Sequence, residues 1–209
     1  LERFLAPYFA KRGMAAAIVH REKRPKVPTA EEMKHLMHQA ILRNKQVIDW
    51  VETRKEFDPK RIGVLGTSMG GINGAMLVGV DPRINCAVLA LAGCDIPYIL
   101  AKSKDKGVQR YQKSYMGEHG VSSDEMYEQL KMLLEWDPKN LAPYVDPGRE
   151  LLILGVCDKV VPFKKGMELR RAMGGPETKL VLSGHYTAVL YIFDIRHSAY
   201  QFFKKKFKE

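Results

Sequence analysis

The chain has 209 residues, 45% of them hydrophobic and 28% charged, so it is long enough to bury a core without disulfide or metal staples and too apolar for disorder. No stretch approaches about eighteen consecutive apolar residues, which argues against a membrane-spanning helix, and at Leu1-Glu2-Arg3 no targeting signal is visible, so any that existed is expected to have been removed. The formal charge of +10 favours anionic partners at long range. Its cations are scattered, however, apart from Arg21-Glu22-Lys23-Arg24 with Lys26 and Lys204-Lys205-Lys206 with Lys208, and no nucleic-acid motif accompanies them.

One compact domain with an inserted lid is expected. Residues 1–12 carry Leu1, Phe4, Leu5, Tyr8 and Phe9 at helical spacing; Pro7 places the helix start at Ala6, and Gly13 ends it. The apolar run of residues 14–20 predicts a strand covered on both faces, followed by a charged, proline-broken loop to Pro28. Thr29-Ala30-Glu31-Glu32 reads as an N-cap with acids in the first turn, opening a helix to about Lys55 with Leu36, Ala40, Val47, Ile48 and Val51 on its apolar stripe. Asp58-Pro59 turns into a strand at 61–66, a glycine-containing helix covers Met69–Val80, and Asp81-Pro82 leads to a strand at 86–92. Residues 95–147 form a polar and aromatic insertion with helical pieces such as 123–135, dividing a core of 1–94 and 148–209. Strands resume at 151–156 and 179–182, and a helix from about Ala188 to Lys206 closes the chain. This alternation predicts an α/β fold with a mostly parallel sheet, whose reactive groups collect at the carboxyl ends of the strands.

The chemistry sits at three such ends. Gly66-Thr67-Ser68-Met69-Gly70 fits G-x-S-x-G where a strand hands over to a helix. In that context the spacing builds a strained elbow that pushes the Ser68 hydroxyl clear of the sheet, with small flanking residues avoiding clashes and the helix N-terminus offering N–H groups. Gly71 and Gly74 let that helix approach the sheet. Asp158 follows the strand ending at Val156, and His185 follows the one through Leu182. A serine hydroxyl is a poor nucleophile until a base takes its proton; His185 is the candidate base, with Asp158 fixing its tautomer. The order Ser68, Asp158, His185 is the order used by α/β-hydrolases.

On Gly-Thr-Ser-Met-Gly-Gly, Gly-Val-Cys-Asp-Lys-Val-Val-Pro and Ser-Gly-His-Tyr, the chain resembles the α/β-hydrolase superfamily from about Ala6 onward, in its serine-esterase and dienelactone-hydrolase-like branch. Dienelactone hydrolases proper use a cysteine nucleophile; Ser68 here points to an ordinary ester. The resemblance implies a helical lid over residues 95–147 and helices on both faces of the sheet. It also implies an oxyanion hole from the Met69 backbone N–H plus a second donor from strands and a His-Gly-type loop ahead of Leu1. Those strands are not read in residues 1–209, so the chain is expected to be a fragment with a raw sheet edge beside the strand at 14–20.

Rival bases are His20, His35, His38, His119 and His197, and rival acids Asp95 and Asp146. Cys86, Cys94 and Cys157 lack disulfide or zinc spacing and suit a reducing, cytoplasmic setting; Cys157 is read as a packed small residue. Tyr98, Tyr111, Tyr115, Tyr127 and Trp136 are expected to pack within, line or close the lid. Neither metal nor organic cofactor is implied. Three functions follow: hydrolysis of a small-molecule carboxylic ester through an acyl-enzyme, a prolyl-oligopeptidase-type peptidase or a thioesterase, and a non-catalytic binding module. The last requires a Ser68 hydroxyl beyond His185's reach.

Overall fold

Four parallel strands in the order β1-β2-β3-β4 form the centre of the computed structural model, which describes residues 2–20 and 26–208. They are β1 (Gly63–Thr67), β2 (Cys86–Ala90), β3 (Glu150–Gly155) and β4 (Glu177–Val181). The register pairs Gly66 with Leu89, Ala90 with Ile153 and Gly155 with Val181, so the carboxyl ends of all four strands lie along one edge. The crossovers are α3 (Met69–Val80) between β1 and β2, a long helical stretch between β2 and β3, and α8 (Phe163–Ala172) between β3 and β4. The sequence reading missed α8, although a parallel β3–β4 pair requires a crossover there.

Both faces of the sheet are covered, and the side-chain alternation of the strands shows how. Cys86, Val88 and Ala90 of β2 and Leu151 and Ile153 of β3 pack with Leu5 and Phe9 of α1 (Glu2–Ala10) and with Ile195, Ala199, Phe202 and Phe203 of α9 (Ile192–Lys206). Ala87, Leu89, Leu152 and Leu154 point the other way, against Ala75 of α3 and Leu169 of α8. Strands apolar on both sides are the signature of a sheet sandwiched between helix layers.

Helix α2 (Ala30–Glu52) begins as its sequence predicts. Thr29 Oγ1 accepts the Glu32 N–H at 3.1 Å and the Glu32 carboxylate accepts the Thr29 N–H at 2.8 Å, a reciprocal capping box. The buried line is Ala30, Met37, Ile41 and Ile48, whereas Leu36, Ala40, Val47 and Val51 are half-buried, so the stripe is rotated from the expected one. The stretch 95–147 folds as α4 (Ile96–Lys102), α5 (Lys106–His119), α6 (Ser123–Leu130) and α7 (Pro138–Leu141) with 3-10 turns between and after the last two. It packs Tyr115, Met126, Leu130 and Leu133 onto the buried side chains of α2 and α3. The aromatic residues of this stretch are therefore mainly packing: Tyr115 is buried and its hydroxyl donates to Gln129 at 3.0 Å, and Tyr111, Tyr127 and Trp136 lie against the same cluster.

Three expectations need correction. Residues 14–20 form no strand: the run makes no ladder, and Ala15, Ala16 and Ala17 are exposed. Strand structure needs a hydrogen-bonding neighbour; none of the four strands pairs with this run, and the sheet edge on the β1 side is β1 itself. Pro7 does not start the first helix but sits inside it, and the chain continues as a turn until Gly13 at φ 82°. The closing helix is α only from Ile192, after a 3-10 turn over Thr187–Tyr191. The loop residues 21–25, which hold most of the first basic cluster, lie outside the described residues. Among the described residues no helix is long and apolar enough to cross a membrane.

The glycines of α3 explain how closely this helix sits on the sheet. A Cβ on Gly71 would stand 2.9 Å from the Ala90 carbonyl oxygen and 3.0 Å from the Ala92 Cβ, and one on Gly74 would stand 2.8 Å from a Leu89 methyl. At Gly71 the obstacle is β2 backbone, which cannot step aside. Gly71→Ala is therefore expected to destabilise the fold by about 1–2 kcal/mol, although alanine is the better helix former, and a lower urea midpoint at unchanged m-value would register it.

Candidate active site

The turn after β1 carries the nucleophile candidate in an unusual backbone state. Ser68 has φ 56° and ψ −122°, a conformation that L-residues rarely hold and that surrounding structure must impose. Two hydrogen bonds do so: the Ser68 N–H donates to the Ala90 carbonyl of β2 at 2.8 Å, and the Ser68 carbonyl accepts the Ile72 N–H at 2.9 Å. Gly66 is obligatory here, because a Cβ there would stand 2.2 Å from the Gly70 carbonyl oxygen. Gly70 is not, since it is exposed with open space around it; the expected need for small residues holds on one flank only. Met69 opens α3, so its N–H has no acceptor within the helix and lies directly beside Ser68.

The two partners arrive from the ends of β3 and β4, whose loops are bonded to each other. The Val156 N–H donates to the Val181 carbonyl and the Cys157 N–H to the Ser183 carbonyl, both at 3.0 Å. Asp158 lies in the turn beyond. Its Oδ1 accepts the N–H groups of Val160 and Val161 at 2.9 and 3.0 Å, which fixes the carboxylate and leaves Oδ2 facing His185. Thr187 Oγ1 accepts the Gly184 N–H at 2.8 Å and shapes the loop that presents the imidazole.

The three side chains form one chain of hydrogen bonds. Ser68 Oγ lies 2.8 Å from His185 Nε2, and His185 Nδ1 lies 2.7 Å from Asp158 Oδ2. A carboxylate can only accept, so Nδ1 carries the proton and Nε2 keeps the lone pair that receives the serine hydroxyl hydrogen. The imidazole side chain is 11% exposed and the carboxyl 2%, which shields the pair from water while the serine stays within reach of a ligand. The Tyr186 ring meets the His185 ring edge-on at 5.6 Å. Residues separated by up to 117 positions thus meet at the carboxyl edge of the sheet.

Of the rival residues, His20 and His35 are exposed, and the others have neighbours away from Ser68. His38 lies against the Trp136 ring, His119 against Tyr115, and His197 within reach of the Tyr8 hydroxyl. Asp95, at φ 63°, caps α4 through the Tyr98 N–H and pairs with Lys165 at 2.7 Å; Asp146 accepts the Gly148 N–H. Cys157 is exposed rather than packed, a correction to its expected role, whereas Cys86 and Cys94 are buried. Burial pushes the Cys94 thiol up to about 12, so it stays protonated. Sequence reasoning missed Asp137: fully buried, it accepts the Ile96 and Lys139 N–H groups at 2.7 and 2.9 Å and ties the start of α4 to the start of α7. Burial holds its carboxyl above the ordinary range.

A parallel sheet between helix layers, with a strand–elbow–helix at a serine, defines the α/β-hydrolase fold. Within it, residues 33–208 match the Prolyl oligopeptidase family, and the chain belongs to that family. The protein YtaP of Bacillus subtilis is 23% identical over 168 residues, 76% of this chain and 50% of that protein. Acetyl xylan esterase from Paenibacillus sp. R4 superposes with a TM-score of 0.58 at 21% identity, covering 80% of this chain and 53% of the esterase. Pyrococcus horikoshii acylaminoacyl peptidase does so with a TM-score of 0.56 at 16% identity, covering 81% and 27%. The chain thus spans about half the length of YtaP and of the Paenibacillus esterase.

Proposed function

We propose that the protein is a serine hydrolase that cleaves a carboxylic ester through an acyl-enzyme, with Ser68, His185 and Asp158 as its triad. The supporting observation is the continuous relay from Ser68 Oγ through both His185 nitrogens to Asp158, at 2.8 and 2.7 Å. Ser68 attacks the ester carbonyl as Nε2 removes its proton, and the Met69 N–H holds the oxygen that becomes negative. The imidazolium then gives the proton to the departing alkoxide. A water molecule, deprotonated by the same nitrogen, releases the acid and restores Ser68. Residues 95–147 serve as a cap whose segment 103–107 abuts the loops after Asp158 and His185.

A second reading, cleavage of a peptide bond, draws on membership of the Prolyl oligopeptidase family. It uses the same relay and differs in the leaving amine. A non-catalytic binding role is disfavoured, since it needs a hydroxyl out of reach of the imidazole and the separation is 2.8 Å.

A fluorophosphonate probe tests the reading directly. The probe should label the protein stoichiometrically, at the peptide containing residue 68, and Ser68→Ala should abolish the label. Folded protein that stays unlabelled would refute the proposal. Turnover of matched ester, thioester and anilide substrates then separates the leaving groups.

A further inference from the structure

Helix α5 carries a line of cations that have no ion-pair partner among the described residues. Lys106, Arg110 and Lys113 recur at i, i+4 and i+7 on its exposed face, where with Gln109 they line a shallow groove of about 340 Å³. None of them pairs with a described carboxylate. The acid in their midst, Asp105, is committed to capping: its Oδ1 accepts the Gly107 and Val108 N–H groups at 2.7 and 3.2 Å. Elsewhere cations do find partners: Arg83 binds Asp49, Glu52 and Asp81, Lys165 binds Asp95 and Glu168, and Lys179 binds Asp194. Like charges four residues apart on a helix cost a few tenths of a kcal/mol, so the line on α5 brings the fold no stability.

Its location supplies the reason. The first turn of α5 touches the catalytic loop, since a Cβ on Gly107 would lie 3.4 Å from the Tyr186 hydroxyl, and the Tyr186 ring packs on His185. On the other side, Ser103 donates to the Lys159 carbonyl at 2.6 Å, and exposed Lys159 directly follows Asp158. Exposed Lys104, Lys106 and Lys159 are thus at or next to the residues that join this segment to the loops of Asp158 and His185, and Arg110 and Lys113 continue the positive line along α5.

We propose that this cationic rim selects substrates with a negative charge: small esters bearing a carboxylate on the acyl or alcohol part. The inference rests on the hydrolase reading and names its substrate class. A field of one sign beside an active site raises the encounter rate of oppositely charged ligands, and it fades once the Debye length drops from roughly 20 Å in dilute buffer to below about 5 Å in concentrated salt.

The test uses two phosphonate probes of equal size, one neutral and one bearing a carboxylate, and compares their second-order rates of Ser68 labelling on the full chain. At low salt the anionic probe should react about tenfold faster, with the ratio falling to within about twofold of unity in molar salt. The double charge reversal Lys106→Glu/Arg110→Glu should remove most of that preference. Lys204→Glu/Lys205→Glu changes the net charge equally but lies at the far end of α9, beside the Phe203–Phe207 contacts with Gly63 at the start of β1, and should leave the ratio intact. A ratio near unity at low salt overturns the rim, and so does an equal loss in the α9 control. Failure of both probes to label Ser68 overturns the hydrolase reading itself, a distinct result.

Discussion

Asp158→Asn should lower kcat by about four powers of ten and Ser68→Ala by about four to six, with KM nearly unchanged in both. The asparagine case follows from the hydrogen bonds. Two backbone N–H groups, from Val160 and Val161, hold Oδ1, so an asparagine oxygen takes that place and its NH2 turns toward His185. The imidazole can then accept only at Nδ1, its proton moves to Nε2, and Nε2 donates to Ser68 where it had accepted. The ring keeps its position and loses its function as a base. The double variant should be no slower than Ser68→Ala alone, because groups acting as a unit are not additive. Steady-state kinetics on a chromogenic ester would show this. An Asp158→Asn variant retaining a tenth of the activity would remove Asp158 from the mechanism.

What could be read in the residues follows what local physics specifies. The elbow was legible because Gly66, Ser68 and Gly71 each answer a backbone demand: close approach at both glycines and a rare φ at the serine. The α2 start was legible because a capping box is written within four residues. The run at 14–20 misled because its apolar residues satisfy a strand pattern, while strand formation depends on a neighbour that the local sequence does not specify. Helix α8 was hidden by its own composition: Lys164, Lys165, Glu168, Arg170 and Arg171 mask an apolar face that buries only Leu169 and Gly166 besides the Lys165 stem. Asp137 and the cations of α5 depend on how residues 95–147 fold, a long-range matter that spacing does not encode.

Glu150→Leu should stabilise the fold by about 2–3 kcal/mol at pH 7, an increase of roughly 5–10 °C in Tm, with no change in kcat. Glu150 opens β3 opposite Ala87, at the end of the strand remote from Asp158, and is 3% exposed. By alternation its side chain shares the face of Leu152 and Leu154, and its Oε2 has no hydrogen-bond partner among the described residues. Burial, with the Asp146 charge adding to it, pushes its carboxyl up to about 9. In the unfolded chain the same group ionises near pH 4.5, so between these values the unfolded state is the one that releases the proton. Wild-type stability is therefore lost as pH rises from about 4.5 toward 9, by up to about 1.4 kcal/mol per pH unit from this group. The leucine variant has nothing to titrate there, and its advantage should grow over that window and be small at pH 4.5. Denaturation of both proteins from pH 4.5 to 8 measures the difference directly, and a pH-independent or negative difference would show that Glu150 is solvated or paired in solution.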